Sequence, residues 1–89
     1  MPERFVKDPD AVLDYQINWL AWLDGDTIST SEWEAPTGIT IDSDSATTSA
    51  TTVWLSSGTA GDSYLIVNRI TTDGGRTDDR SITISVAEK

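Results

Sequence analysis

Alternation of apolar and polar residues is the dominant pattern along this chain. Leu13, Tyr15, Ile17 and Trp19 are separated by single polar residues, and residues 81–86 (SITISV) repeat the pattern near the C-terminus. Consecutive side chains of a β-strand point to opposite faces, so a period of two predicts a strand with one buried face. Both segments are therefore predicted to be strands that pack on a core.

Shorter segments of the same kind lie between these two, and turn residues separate them. We predict strands at residues 28–33, 39–41, 51–55 and 64–72, divided by stretches rich in Gly, Asp and Pro. Strands that recur about every 8–12 residues with such turns favour a sandwich or a small barrel. The expected fold is an all-β, immunoglobulin-like antiparallel β-sandwich of about seven strands in a Greek key, with at most one short helical turn near residues 20–23.

Two residues of the segment 64–72 make this prediction more specific. Tyr64 follows a Gly-Asp loop and precedes the final hairpin. In immunoglobulin-like domains a tyrosine at this place forms the tyrosine corner, in which its hydroxyl bonds to nearby backbone. Asn68 shares a strand face with Tyr64, so it needs hydrogen-bond partners if it is buried.

The chain length suits one domain. Its 89 residues fall within the roughly 50–250 residues of typical domains. We expect an extended N-terminal arm at residues 1–9 and the sandwich at residues 10–89. The Asp-, Ser- and Thr-rich residues 42–52 are interpreted as a loop and the start of a strand, because Thr and Ser favour extended backbone.

The composition excludes most catalytic and metal chemistry. The chain has no cysteine and no histidine, which removes the usual zinc ligands and nucleophile–base triads. Residues 24–26 and 42–44 lack the ligand spacing of a calcium loop. The carboxylates at positions 78 and 79 point to opposite faces of a strand, and those at 32 and 34 flank Trp33 on a polar face, so neither pair is expected to cleave glycosides. We predict that the protein is not an enzyme and has no catalytic residue, cofactor or metal site.

The net charge narrows the choice of partners. Fifteen acidic and six basic residues give a formal charge of −9, which disfavours binding to nucleic acid and to anionic membranes. Solubility of the free chain, or complementarity to a basic partner surface, explains this charge. The sequence start lacks signal-peptide features, and no apolar run approaches the roughly 20 residues that span a bilayer. We expect a soluble protein synthesised in the cytosol.

The aromatic residues suggest an interaction surface. Trp19 belongs to the alternating apolar set and is predicted to be in the core, but four tryptophans exceed what one small core needs. Exposed aromatic side chains are enriched in protein interfaces, and they also stack on sugars, which makes a carbohydrate-binding module an alternative. The hypothetical interface comprises the surplus aromatics and a loop tip: Phe5, Trp22, Trp33, Gly74, Gly75 and Arg76.

Two sets of residues resemble a known family. The first contains residues 7–15 (KDPDAVLDY), Trp19, Trp22, Leu23 and residues 25–28 (GDTI). The second contains residues 52–56 (TVWLS), residues 58–61 (GTAG), Tyr64, residues 67–72 (VNRITT) and residues 75–81 (GRTDDRS). In these residues the chain is similar, over almost its whole length, to small tailed-bacteriophage proteins described as fibre–tail adaptor or neck proteins.

The resemblance implies a virion structural protein with an immunoglobulin-like fold, synthesised in the cytoplasm of a bacterial host. Its implied role is protein–protein adhesion at the head–tail junction, or attachment of fibres. The implied partners are other virion proteins, namely neck, tail or capsid subunits, in a ring or another symmetric assembly. Decoration of the capsid surface is the alternative role within the virion. The family brings no catalytic residues with it.

Overall fold

The fold is an all-β sandwich of two sheets. The computed structural model describes residues 3–88, which form seven strands and one short helix. The elements are β1 (Glu3–Lys7), β2 (Leu13–Asn18), α1 (Leu20–Leu23), β3 (Ile28–Glu34), β4 (Ile39–Ala46), β5 (Ala50–Ser57), β6 (Ser63–Thr72) and β7 (Thr77–Val86). No helix of these residues has the length and hydrophobicity needed to cross a bilayer.

The strands are ordered β1-β7-β6-β3 in the first sheet and β2-β5-β4 in the second sheet. All neighbouring strands pair antiparallel except β1 and β7, which are parallel. The chain crosses between the sheets after β1, before and after β3, and again between β5 and β6. This arrangement confirms the predicted immunoglobulin-like Greek-key sandwich, and α1 confirms the predicted helical turn.

The first strand includes residues that the sequence analysis assigned to an arm. Residues 3–7 pair with β7 from Ile82 to Val86, so this part of the chain is packed in the first sheet. Lys7 is fully buried, and its ammonium donates hydrogen bonds to the carbonyl oxygens of Ser57 at 2.7 Å and Asp8 at 2.9 Å. These bonds fix the end of β1 against the end of β5.

The core lies between the two sheets and follows the alternation read from the sequence. Trp19 is fully buried, as predicted. Four strands contribute two inward-facing residues each: Tyr15 and Ile17 of β2, Val53 and Leu55 of β5, Ile66 and Ile70 of β6, and Ile82 and Ile84 of β7. Alternate residues of the same strands face outward, so each sheet has one apolar and one polar face.

Asn68 is the buried polar centre of this core. Its side-chain oxygen accepts hydrogen bonds from Thr51 Oγ1 at 2.7 Å and Trp19 Nε1 at 3.1 Å. Its side-chain nitrogen donates to Ser31 Oγ at 3.0 Å and to the carbonyl oxygen of Glu32 at 2.9 Å. Both acceptor sites and both donors of the amide are therefore satisfied, and the partners that the sequence required are present. The amide joins β3 and β6 of the first sheet to β5 of the second.

The tyrosine corner is also present. The hydroxyl of Tyr64 accepts a hydrogen bond from the backbone N–H of Thr59, 3.0 Å away, which fixes the loop before β6. Gly38 lies against the same ring with φ +109°, and a Cβ there would stand 3.0 Å from Cε1 of Tyr64. Glycine at position 38 thus allows the turn before β4 to pack on the corner.

Replacing Asn68 by leucine tests the role of the buried amide. We expect Asn68→Leu to lower the free energy of unfolding by about 2–4 kcal/mol, because it leaves buried donors and acceptors without partners. Urea unfolding followed by tryptophan fluorescence measures this. The matched variant Gln16→Leu, on the exposed side of β2, should change stability by less than ~0.5 kcal/mol. Equal losses in the two variants would contradict a structural role for the amide network.

Candidate interaction surface

One end of the sandwich is closed by two turns that lie against each other. The first follows α1, and the second joins β6 to β7. The backbone N–H of Asp73 donates to the carbonyl oxygen of Thr27 at 2.9 Å, and the Thr27 hydroxyl donates to the Asp73 carboxylate. We name residues 20–27 and 73–76 the tip. Its tight turns use left-handed backbone at Asp24, Gly25 and Gly75, a conformation that glycine adopts at low cost.

Asp26 and Arg76 fasten the tip together. The Asp26 carboxylate accepts hydrogen bonds from the backbone N–H of Gly74 at 3.0 Å and from Arg76 Nε at 3.3 Å. The guanidinium of Arg76 also donates to the carbonyl oxygens of Leu23 at 2.6 Å and Trp22 at 3.4 Å. These carbonyls belong to the end of α1, where orphan acceptors and the helix dipole favour a cation. A Cβ at Gly74 would stand 2.6 Å from Asp26 Oδ2, so a larger residue there would displace the carboxylate.

The carboxyl group of Asp26 has a lowered pKa. Hydrogen bonds, the largest contribution coming from the Thr72 side chain and the next from the Thr27 backbone, lower the pKa of Asp26 from 3.8 to about 2. Hydrogen bonding to the charged form of a carboxyl favours ionisation. Asp26 is therefore an anion at neutral pH, and its bonds to Gly74 and Arg76 are charge-assisted.

Two indole rings lie in contact at this end of the molecule, and a guanidinium group lies against each of them. The Arg76 guanidinium carbon lies 4.3 Å from the centre of the Trp22 ring. Trp22 meets Trp19 edge to face, with ring centres 5.3 Å apart, and Arg80 lies 4.4 Å from the Trp19 ring. Leu20, on the same short helix as Trp22, is 62% exposed. The tip thus presents apolar side chains and a guanidinium whose charge is paired with Asp26.

The structure brings four of the six hypothetical interface residues together. Trp22 and residues 74–76 lie in the tip, whereas Phe5 and Trp33 lie on β1 and β3, the opposite edges of the first sheet. Phe5 packs on Tyr15 with ring centres 5.0 Å apart. Trp33 is partly buried against the core, and its Nε1 has no hydrogen-bond partner within residues 3–88. The six residues therefore do not form one continuous surface, and their role in binding stays a prediction.

Two exposed residues did not enter the predicted interface. Leu20 lies at the tip, and Trp54 is 41% exposed on β5, the central strand of the second sheet. The exposure of Trp54 could have been predicted from the alternation of the sequence. Val53 and Leu55 are buried, which directs the residue between them to the outer face. Within residues 3–88, no group of three or more acidic side chains is placed to hold a metal ion.

The low pKa of Asp26 predicts how the tip responds to acid. A carboxyl whose folded pKa is lowered adds stability above its unfolded pKa, near 3.8, and this contribution is lost as the pH falls through about 2. We expect Asp26→Asn to lose less stability than the parent chain between pH 4 and pH 2, measured by urea unfolding. Gln16→Leu, which changes no ionisable group, should follow the parent chain. Parallel curves of stability against pH for the parent chain and Asp26→Asn would contradict a lowered pKa of Asp26.

Comparison with solved structures supports the fold. The chain is similar to the solution structure of the PKD domain from KIAA 1837 protein, with a TM-score of 0.60 and 18% sequence identity over 99% of this chain and 81% of that chain. At this identity the similarity concerns the fold alone, an immunoglobulin-like sandwich. No curated protein matches the chain significantly.

Comparison with family models identifies the family. Residues 7–85 match the model of the podophage GP4 fiber-tail adaptor protein gp77 family. This span extends from the end of β1 almost to the end of β7 and includes the whole tip. The match covers most of the chain and agrees with the fold and with the residues that carry the sequence resemblance. The chain therefore belongs to the podophage GP4 fiber-tail adaptor protein gp77 family.

Proposed function

We propose that this chain is a virion structural protein that holds fibre and tail proteins together where the tail meets the head. Family membership supports a structural adaptor role in the phage particle. The family and the fold also support a non-enzymatic protein, because adhesion requires exposed contact surfaces rather than a pocket with converging ionisable groups. The partners in this proposal are other virion proteins, contacted through the tip.

The observation that carries this proposal is the rigid construction of the tip. Trp and Arg are the residue types most enriched among the few that dominate binding energy at interfaces. At the tip, Trp22 and Arg76 are stacked on each other, and the turn carrying Arg76 is fastened through Asp26. Little conformational entropy is then lost on binding, because the contact groups are already in place. Leu20 adds an exposed apolar side chain on another side of the same helical turn.

A symmetric arrangement of several copies would strengthen such a contact. A specific interface buries roughly 800 Å² on each partner, whereas the shorter dimensions of this domain are only 23 and 19 Å, so its end offers less surface than such an interface. Each single contact is then modest, and several copies bound to one assembly raise the overall affinity through avidity. Ring formation is therefore part of the proposal.

The location of the protein in purified virions tests this function. If the protein forms a ring, we expect quantitative mass spectrometry to give a copy number on the order of ten per particle, and avidity follows from several linked contacts. Electron microscopy should place these copies at the tail. Hundreds of copies on the shell would instead indicate capsid decoration, and absence from the particle would contradict a structural role.

A variant of the tip tests the contact surface directly. A phage lacking this gene is complemented with plasmids that encode Leu20→Glu or the matched control Leu65→Glu, at a residue 51% exposed on the outer face of the first sheet. We expect both proteins to fold, and incorporation of Leu20→Glu into virions to fall about tenfold, since a charge disrupts an apolar contact centre. The control should be incorporated near the parent level. Normal incorporation of Leu20→Glu would remove the tip as the contact surface.

A further inference from the structure

The charges of the chain are distributed unequally between the two sheets. Its six basic residues are Arg4, Lys7, Arg69, Arg76, Arg80 and Lys89. The strands of the second sheet contain none of them, and they carry the carboxylates Asp14 in β2 and Asp42 and Asp44 in β4. Lys7 and Arg80 reach only the ends of this sheet, at the carbonyl oxygens of Ser57 and Asn18. Asp44 pairs with the buried Val53 and so lies toward the inner side, whereas Asp14 and Asp42 lie on the outer face. The outer face of the second sheet is therefore acidic and polar.

Trp54 stands in the middle of this acidic face. It lies on the central strand, paired with Asp14 of β2 on one side and Ser43 of β4 on the other. Residues directly opposite each other in an antiparallel pair point to the same face, so the Asp14 carboxylate and the indole share the outer surface. We name Asp14, Asp42, Ser43, Thr52, Trp54 and Ser56 the Trp54 face.

The polar groups around the indole are partly fixed in position. The Asp42 carboxylate accepts a hydrogen bond from Ser56 Oγ at 2.8 Å. This bond holds the carboxylate against the outer face at the register shift in β4. A carboxylate has about four lone-pair sites. Asp42 therefore retains acceptor capacity for a donor that approaches from solvent.

Two of the other tryptophans are each covered by an arginine side chain of the same chain. Arg76 stacks on Trp22 and Arg80 stacks on Trp19, and Arg76 also pairs with the carboxylate of Asp26 at 3.3 Å. This combination of indole, guanidinium and carboxylate is complete within the chain at the tip. The Trp54 face supplies the indole and the carboxylates, but its own strands supply no cation.

We propose that the Trp54 face binds a basic segment of another protein, with an arginine side chain stacked on the Trp54 indole and paired with Asp14 or Asp42. A guanidinium over an indole is attracted by the ring quadrupole, and its planar fork matches a carboxylate better than an ammonium does. Charge complementarity favours a basic segment over a second copy of this chain, because copies with a charge of −9 repel each other. Nucleic acid is disfavoured for the same reason.

This surface adds a second partner to the proposed function and does not depend on the tip. Ala50 pairs with Asn18, next to α1, and Trp54 lies four residues further along β5. At ~3.3 Å per strand residue this is roughly 13 Å. One surface closes an end of the sandwich and the other covers a flank, so two partners can be bound at once.

Titration of the full chain with an arginine peptide tests the proposal. The probe is a heptapeptide of alternating arginine and serine, added to ¹⁵N-labelled protein at low ionic strength. We expect the Trp54 indole N–H and the amides of Asp14 and Ser43 to shift, while the Trp19 and Trp22 indoles stay in place. Trp54→Ala should weaken binding about tenfold, and Trp54→Phe should restore most of it, because phenylalanine keeps an aromatic face.

Charge-matched variants separate this site from general attraction to an acidic protein. The double variant Asp14→Asn with Asp42→Asn should weaken binding more than Asp62→Asn with Glu88→Gln, which removes the same charge elsewhere. Equal weakening by the two pairs would overturn the proposal. Chemical-shift changes on the Trp54 face that are caused by chitohexaose and not by the peptide would also overturn it and would identify a sugar site. Sedimentation showing that the chain alone self-associates through this face would overturn it as well. These outcomes are independent of the location of the protein in virions, so this proposal and the proposed function can fail separately.

Discussion

The fully bonded amide of Asn68 is the constraint on which the rest of this small sandwich depends. An amide in an apolar core is costly unless each donor and acceptor finds a partner. The four partners of Asn68 are Trp19, Thr51 of β5, and Ser31 and Glu32 of β3. A shift of β3 by one residue would turn Ser31 to the outer face and remove one of them. In a chain without cysteine, this polar side chain thus adds to the apolar alternation in specifying a single register.

The order of the core extends outward to the tip through Trp19. The Asn68 amide fixes the indole of Trp19, Trp19 meets Trp22 edge to face, and Trp22 carries the Arg76 guanidinium. Arg76 in turn holds the end of α1 and, with Asp26, the opposite turn. Loops are usually the most mobile part of a sandwich. Here the contact residues of a loop end are positioned by packing and hydrogen bonds that begin in the core.

Sequence reasoning identified features that depend on local pattern and missed those that depend on distant contacts. Alternation and turn residues predicted the existence of β2–β7, the place of Tyr64 and the requirement at Asn68. They placed residues 42–46 in a loop and began the last strand at residue 81, whereas β4 extends to Ala46 and β7 begins at Thr77. Strand β1 was not identified, because Phe5 and Val6 are too few to show a period and their partners are residues 82–86. The Asp26–Arg76 contact was missed for the same reason, since fifty positions separate its residues. Grouping Phe5 and Trp33 with the tip was an inference from composition, which contains no information on which edge a strand occupies.

The sandwich also explains how one short chain carries surfaces of different chemistry. Because alternate residues face opposite sides of each sheet, the core residues place no requirement on the outward positions. The described basic residues lie in or beside the first sheet, where Arg69 pairs with Asp79 at 2.8 Å and Arg76 completes the tip. The second sheet retains carboxylates around an indole whose strand neighbours include no cation. At the tip the charges are paired within the chain, which favours a rigid surface. On the Trp54 face the carboxylates are not paired with a cation of their own strands, so electrostatic energy can still be gained when a basic partner binds.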